Sequence, residues 1–155
     1  MIKVLFVCLG NICRSPMAEY VFKDMVKKEG IAEKFYIDSA ATSNGELGNS
    51  IHYRTRNKLE EMNIEYGNHV ARRITRQDYD EFDYIIGMEE QNIINIKRIV
   101  GEDKDNKVFK LLDFSKNPRD IADPWYTGNF NKTYDDIVEG LEGFIKYLKK
   151  EMLTS

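Results

Sequence analysis

Lys3-Val4-Leu5-Phe6-Val7-Cys8-Leu9-Gly10-Asn11-Ile12-Cys13-Arg14-Ser15-Pro16 is the stretch that decides the fold. Lys3 to Val7 reads as a continuous apolar run, which is what a strand buried on both faces requires. Ser15 then offers an N-cap with Pro16 at the first helical position. Beyond it Met17, Val21, Phe22, Met25 and Val26 recur at helical spacing until Lys27, Lys28 and Gly30 end the run. A buried strand, a short polar loop and an amphipathic helix form the first half of a βαβ unit.

Working outward, the same alternation repeats. Phe35-Tyr36-Ile37, ending at Asp38-Ser39, predicts a second strand, followed by a Gly/Ser/Asn-rich loop from Thr42 to Ser50 and a polar helix over Tyr53 to Met62. Tyr84 to Met88 predicts the third strand, Glu89 to Val100 a helix, and Val108 to Leu112 the fourth strand. Tyr134, Ile137, Val138, Leu141, Ile145 and Leu148 predict a closing helix, with Asp135-Asp136 at its start and Lys149-Lys150 at its end. Such alternation implies an α/β fold, a doubly wound four-stranded parallel sheet with helices on both faces. Ligands of these folds bind beyond the carboxyl ends of the strands. That directs attention to Cys8–Ser15, Ser39–Ser50, Met88–Glu90 and the long connection Asp113–Asn131, whose length suits a functional wall.

Composition bounds the function. The 155 residues suit one domain spanning 1–155, and 42% hydrophobic with 32% charged residues is globular usage. Lys+Arg 23 against Asp+Glu 26 leaves a net charge of -3, so nucleic-acid binding through the phosphate backbone is not expected. No apolar run has the length of a membrane span, and the opening stretch is too short for a usual signal peptide. The two cysteines, Cys8 and Cys13, share one loop, which fits a reduced, cytoplasmic setting better than a disulfide scaffold.

Within Cys8-Leu9-Gly10-Asn11-Ile12-Cys13-Arg14-Ser15 a thiol and a guanidinium are separated by five residues. A tight loop ending at a helix N-terminus turns its backbone N–H groups inward, where they and the helix dipole favour an anion. The same field stabilises a thiolate on Cys8, while Arg14 returns to clamp two oxygens of a tetrahedral oxyanion. Gly10 and Asn11 suit the positive φ of such a turn, and the Ser15 hydroxyl is placed to bond the Cys8 sulfur or to cap the helix. Phosphoryl transfer to a cysteine also needs an acid for the departing oxygen and a base for water. Asp113, Asp120 and Asp123 all stand on the long connection, and spacing alone does not choose among them. Asp123 is followed by Pro124, which stiffens the chain, and by Trp125 and Tyr126, whose rings suit an aromatic leaving group.

The run Cys8 to Glu19, with Asp38-Ser39-Ala40-Ala41-Thr42, Phe82-Asp83-Tyr84-Ile85 and Asp123-Pro124-Trp125-Tyr126, resembles the low-molecular-weight protein tyrosine phosphatases over nearly the whole chain. The resemblance implies hydrolysis of phosphotyrosine and small aryl phosphates through a phosphocysteine on Cys8. Arg14 and the amides of Leu9, Gly10, Asn11, Ile12, Cys13 and Arg14 would bind phosphate, Ser15 would assist the thiolate, and Asp123 would serve as general acid and base. It implies Leu9, Trp125 and Tyr126 as substrate walls, and Asn11, Ser39 and His69 as a hydrogen-bonded support beneath the loop. Cys13 would pair with Cys8 under oxidation. No metal or other cofactor is expected, phosphotyrosine proteins are the expected partners, inorganic phosphate and other oxyanions the expected inhibitors, and a monomer the expected state.

Two positions bear on specificity. Many relatives carry an aromatic residue where this chain has Asn44-Gly45-Glu46, and a phosphoarginine-preferring branch has threonine where this chain has Ile12. Three rival readings remain. An arsenate reductase on the same fold relays electrons through further cysteines, which this chain lacks beyond residue 13. A phosphate- or phosphoprotein-binding module would need the loop but not the acid. A zinc site would draw on Cys8, Cys13, His52 and His69, although the histidines are not closely paired.

Overall fold

The computed structural model describes residues 1–154, so Ser155, the last residue of the expected domain, lies outside the described residues. Strand β1 (Ile2–Cys8) sits inside the sheet, and its side chains divide between two apolar clusters. Val4, Phe6 and Cys8 face one, and Leu5 and Val7 face the other, as the two-residue period of a strand demands. Both faces are covered, which is why the run needs no polar alternation.

The sheet contains β2 (Phe35–Ala41), β3 (Tyr84–Gly87) and β4 (Val108–Lys110), ordered β2-β1-β3-β4 with every pairing parallel. Helices α1 (Arg14–Lys28), α2 (Tyr53–Glu61) and α6 (Phe130–Thr154) pack with the Val4/Phe6/Cys8 face, whereas α3 (Arg76–Glu81) and α4 (Glu90–Val100) pack on the opposite one. The chain leaves β1 for β2 on one side and later crosses to β3 on the other. This switch point opens a crevice beyond the carboxyl end of β1, and the Val4/Phe6 face delivers Cys8 to it beside the N-terminus of α1. Among the described residues no helix is long and apolar enough to cross a membrane.

Several elements differ from the sequence expectation. Helix α1 begins at Arg14 with Cys13 at its N-cap and no side-chain cap bond, so Ser15 lies inside the first turn rather than at the cap. Its hydroxyl is taken by Cys8 and Asn11 instead. The fourth strand stops at Lys110, and Leu111–Phe114 turns as a 3-10 helix. Asp113 accepts the Lys110 N–H there, and the buried Leu111 lies beneath α6. Close packing at this turn explains Gly143 of α6, where a Cβ would collide with the Phe114 carbonyl oxygen. The long connection is therefore partly built, by this turn at one end and by α5 (Pro124–Thr127) near the other. Helix α3 was not expected, since six mostly polar residues carry no periodic signal.

Candidate active site

The loop Cys8–Ser15 lines a cavity of about 240 Å³ at the switch point. Two backbone N–H groups converge on Cys8 Sγ, that of Asn11 at 3.3 Å and that of Ser15 at 3.4 Å, and the Ser15 hydroxyl is hydrogen-bonded to it at 3.1 Å. Asn11 makes the turn at φ 59°, as asparagine tolerates. Gly10, in contrast, is not at positive φ. It is small because Glu46 passes close by: a Cβ would meet Glu46 Cγ at 3.2 Å.

Beneath the loop the hydrogen bonds run in one direction. Glu19, 4% exposed, accepts the Ser39 hydroxyl at 2.6 Å and Lys23 Nζ at 2.6 Å. With its proton committed to a carboxylate, Ser39 Oγ accepts from Asn11 Nδ2 at 2.9 Å, and the same amide nitrogen donates to Ser15 Oγ at 2.8 Å. The amide orientation is fixed from its other end, because Asn11 Oδ1 accepts the Arg72 N–H at 3.2 Å. Ser15 thus receives from Asn11 and has its own proton left for Cys8. His69 Nε2 lies 2.7 Å from the Asn11 carbonyl oxygen, which can only accept, so Nε2 carries the proton. Asn11, Ser39 and His69 therefore meet under the loop, joined by Glu19 and Arg72, which sequence reasoning had not assigned roles. Ser15, Glu19 and Lys23, spaced four apart on one face of α1, were the signal available for Glu19. No comparable signal marked Arg72.

Arg14 has the largest of the fully buried side chains. It donates to the Ile121 carbonyl at 2.8 Å and to Glu89 at 3.3 Å, and lies 3.4 Å from Asp123 Oδ2. Burial works against the guanidinium charge, but the charges of Cys8, Glu89 and Asp123 outweigh it and raise its pKa above the ordinary arginine value. Glu89 was also missed as an individual residue, although its segment Met88–Glu90 follows a strand. Asp123 caps α5 through Trp125 N at 3.0 Å and lines the cavity. Asp113 and Asp120 are engaged elsewhere: Asp120 bonds Lys110 Nζ and Glu90 N, both at 3.0 Å. Of the three aspartates, Asp123 is the one that lines the cavity with Cys8.

Leu9, Trp125 and Tyr126 rim the cavity and are exposed, Trp125 by 58% and Tyr126 by 79%. Ile12 and Cys13 also line it, with Ser43, Gly45 and Glu46 from the loop after β2, and burial, with Cys8 and Asp123 adding to it, pushes the Cys13 thiol up to about 12. His52 accepts Arg54 N at the start of α2, well apart in role from His69. Among the described residues no group of three His, Cys, Asp or Glu side chains is arranged to hold a metal ion.

The profile described as low molecular weight phosphotyrosine protein phosphatase matches residues 3–154. The low molecular weight protein-tyrosine-phosphatase YfkJ of Bacillus subtilis (strain 168) is 40% identical over 153 residues, covering 97% of this chain and 98% of its own. Its crystal structure superposes with a TM-score of 0.94 over 97% of this chain and 96% of that one. The low molecular weight phosphotyrosine protein phosphatase of Gallus gallus is 42% identical over 149 residues, 92% of this chain and 93% of its own. A Drosophila arginine phosphatase shares the fold with a TM-score of 0.87 at 32% identity, covering 96% of this chain and 98% of its own. With a cysteine, an arginine and an aspartate gathered at the switch point of such a sheet, and matches of this extent, the chain belongs to the low molecular weight phosphotyrosine protein phosphatase family.

Proposed function

We propose that the protein hydrolyses phosphotyrosine in proteins, and small aryl phosphates, through a phosphocysteine intermediate. The observation that carries this reading is the convergence of two backbone N–H groups and the Ser15 hydroxyl on Cys8 Sγ in the cavity that also holds Arg14 and Asp123. In the first step the Cys8 thiolate attacks phosphorus, the S–P bond forms and the bond to the tyrosyl oxygen breaks. Asp123 gives that oxygen its proton. Arg14 and the loop amides from Leu9 to Arg14 hold the equatorial oxygens, where fixed dipoles stabilise the charge of the transition state. In the second step Asp123 takes a proton from water, the water oxygen bonds phosphorus, and the sulfur leaves as a thiolate that receives the Ser15 hydroxyl bond.

The exposed walls Leu9, Trp125 and Tyr126 suit an aryl group entering between them. Ile12 in the lining, where the phosphoarginine branch has threonine, favours phosphotyrosine. The same cradle would bind inorganic phosphate and other oxyanions as inhibitors. We place the protein in the cytoplasm as a one-domain monomer. Under peroxide, Cys8 is the first thiol oxidised to the sulfenic acid. Cys13, a neutral thiol, then condenses with it to a disulfide and releases water.

The test is hydrolysis of p-nitrophenyl phosphate in excess EDTA by wild type and Cys8→Ser. Turnover by wild type and none by the variant is expected. A strict metal requirement, or equal rates, would overturn the mechanism, and oxyanion binding without turnover would favour the binding module or the reductase.

A further inference from the structure

The cavity over Cys8 contains a carboxylate that the proposed chemistry does not use. Glu46, on the loop after β2, is half-buried and lines the cavity with Cys8, Arg14 and Asp123. Its Oε2 accepts from Asn49 Nδ2 at 2.6 Å, a neutral donor that orients the group without cancelling its charge. The cation lining the same cavity, Arg14, is already engaged by Glu89 and Asp123. His52 does not compensate Glu46 either. Burial and the Arg54 charge push its imidazole below the ordinary histidine range, with Glu46 opposing them only as the smallest influence. Beside Glu46 the wall is open, since a Cβ on Gly45 would meet only Ser43 Oγ, at 3.8 Å.

We propose that Glu46 is a specificity-determining residue that selects phosphotyrosine peptides carrying Lys or Arg next to the phosphotyrosine. The inference rests on the phosphatase reading. With the phosphoryl group at Arg14 and the ring between Leu9 and Trp125, the peptide backbone lies at the cavity mouth. The gap at Gly45 then admits a long basic side chain to the uncompensated carboxylate. An acidic neighbour meets repulsion at the same place.

The experiment compares kcat/KM at low ionic strength for three phosphopeptides identical except for Lys, Ala or Glu beside phosphotyrosine. An exposed charge pair and its repulsive counterpart together predict a Lys-over-Glu preference of about five- to tenfold in wild type. The preference should shrink to about unity in Glu46→Gln, reverse in Glu46→Lys, and flatten in 1 M NaCl, where the screening length is about 3 Å. Because the readout is a ratio within each protein, a general loss of activity cancels. A wild-type ratio near unity, or an unchanged ratio in Glu46→Gln, would overturn the proposal.

Binding of the same peptides to Cys8→Ser reads the selection without turnover. Hydrolysis of p-nitrophenyl phosphate without any peptide preference would remove only the Glu46 role. Charge-selective binding with no wild-type turnover would remove only the phosphatase reading, and neither turnover nor binding would remove both.

Discussion

The two loops that meet over Cys8 are built in opposite ways. The phosphate loop, Cys8–Ser15, is buried from Asn11 onward and tied from below by Asn11, Ser39, Glu19 and Arg72. The segment carrying Asp123 is buried at Ile121 and Pro124, exposed from Trp125 to Asn129, closed by bonds within its own turn, and anchored at its ends by Met88 and Arg14 on Ile121 and by Arg54 on the Gly128 carbonyl. Binding a charged, tetrahedral group rewards donors that are fixed before it arrives, because no reorganisation remains to be done. Delivering a proton to a variable leaving group needs reach more than rigidity. The side chain that joins the two loops is Arg14, which begins in the rigid loop and ends on the Ile121 carbonyl and beside Asp123.

The largest expected effect comes from breaking that junction. Arg14→Lys keeps the charge but loses the planar fork, so the Ile121 carbonyl, Glu89 and two phosphoryl oxygens no longer share one group. We expect kcat/KM for p-nitrophenyl phosphate to fall about 10³-fold, the scale of a lost oxyanion donor, with weaker inhibition by inorganic phosphate. A loss under tenfold would show that the loop amides bind phosphate without the guanidinium.

Asp123→Asn acts on the other loop. The general-acid role predicts a loss of about 10²-fold in kcat/KM for phenyl phosphate, whose leaving group needs a proton, and a much smaller one for p-nitrophenyl phosphate. Equal losses on both esters would assign Asp123 to holding Arg14 rather than to proton transfer.

Glu19→Gln asks whether the direction of the buried hydrogen bonds matters. Glu19 accepts at both oxygens, from Ser39 and from Lys23, whereas a glutamine amide accepts at only one, so either Lys23 or Ser39 faces an N–H and the common orientation of Ser39, Asn11 and Ser15 is weakened. Leaving one such buried bond unmade costs about 1–3 kcal/mol, and we expect roughly a tenfold fall in kcat/KM. A fall in thermal stability with kcat/KM unchanged would mean that Glu19 only supports the fold.

These two constructions also explain what was legible in the sequence. Strand β1 and its loop could be read because burial on both faces forces an uninterrupted apolar run, and a tight turn forces residues such as Asn11. Asp123 stood out by its neighbours Pro124, Trp125 and Tyr126, but that it lines the cavity while Asp113 and Asp120 do not is visible only in the structure, since all three are polar residues on one connection. Of the two roles read for Ser15, the bond to the Cys8 sulfur is the one present and the cap is not, because a cap preference is worth only about 1 kcal/mol and the sulfur competes for the hydroxyl. Leu111 and Leu112 read as strand because full burial marks an apolar residue without marking its backbone. Helix α3 left one trace, the Thr75/Asp78 capping box. Arg72 acts on Asn11 through its backbone N–H, which its residue type does not reveal.

Trp125→Ala should have the smallest effect, and it tests whether the exposed loop is a wall or a strut. The indole is 58% exposed and touches the body of the protein edge-on at His52, with ring centroids 5.6 Å apart. Such a pair is worth about 0.5–1.5 kcal/mol when well packed, and less in water, so thermal unfolding should shift by only about 1–3 °C. If the ring is a wall for the aryl group, KM for aryl phosphates rises about two- to fivefold while kcat holds, because the lost contact is made equally in ground and transition states. If it is instead a strut, the loop sags, Asp123 loses its line to the leaving oxygen, and kcat falls with KM unchanged. The split between the two constants therefore separates an aromatic surface that receives the substrate from one that keeps the acid in place.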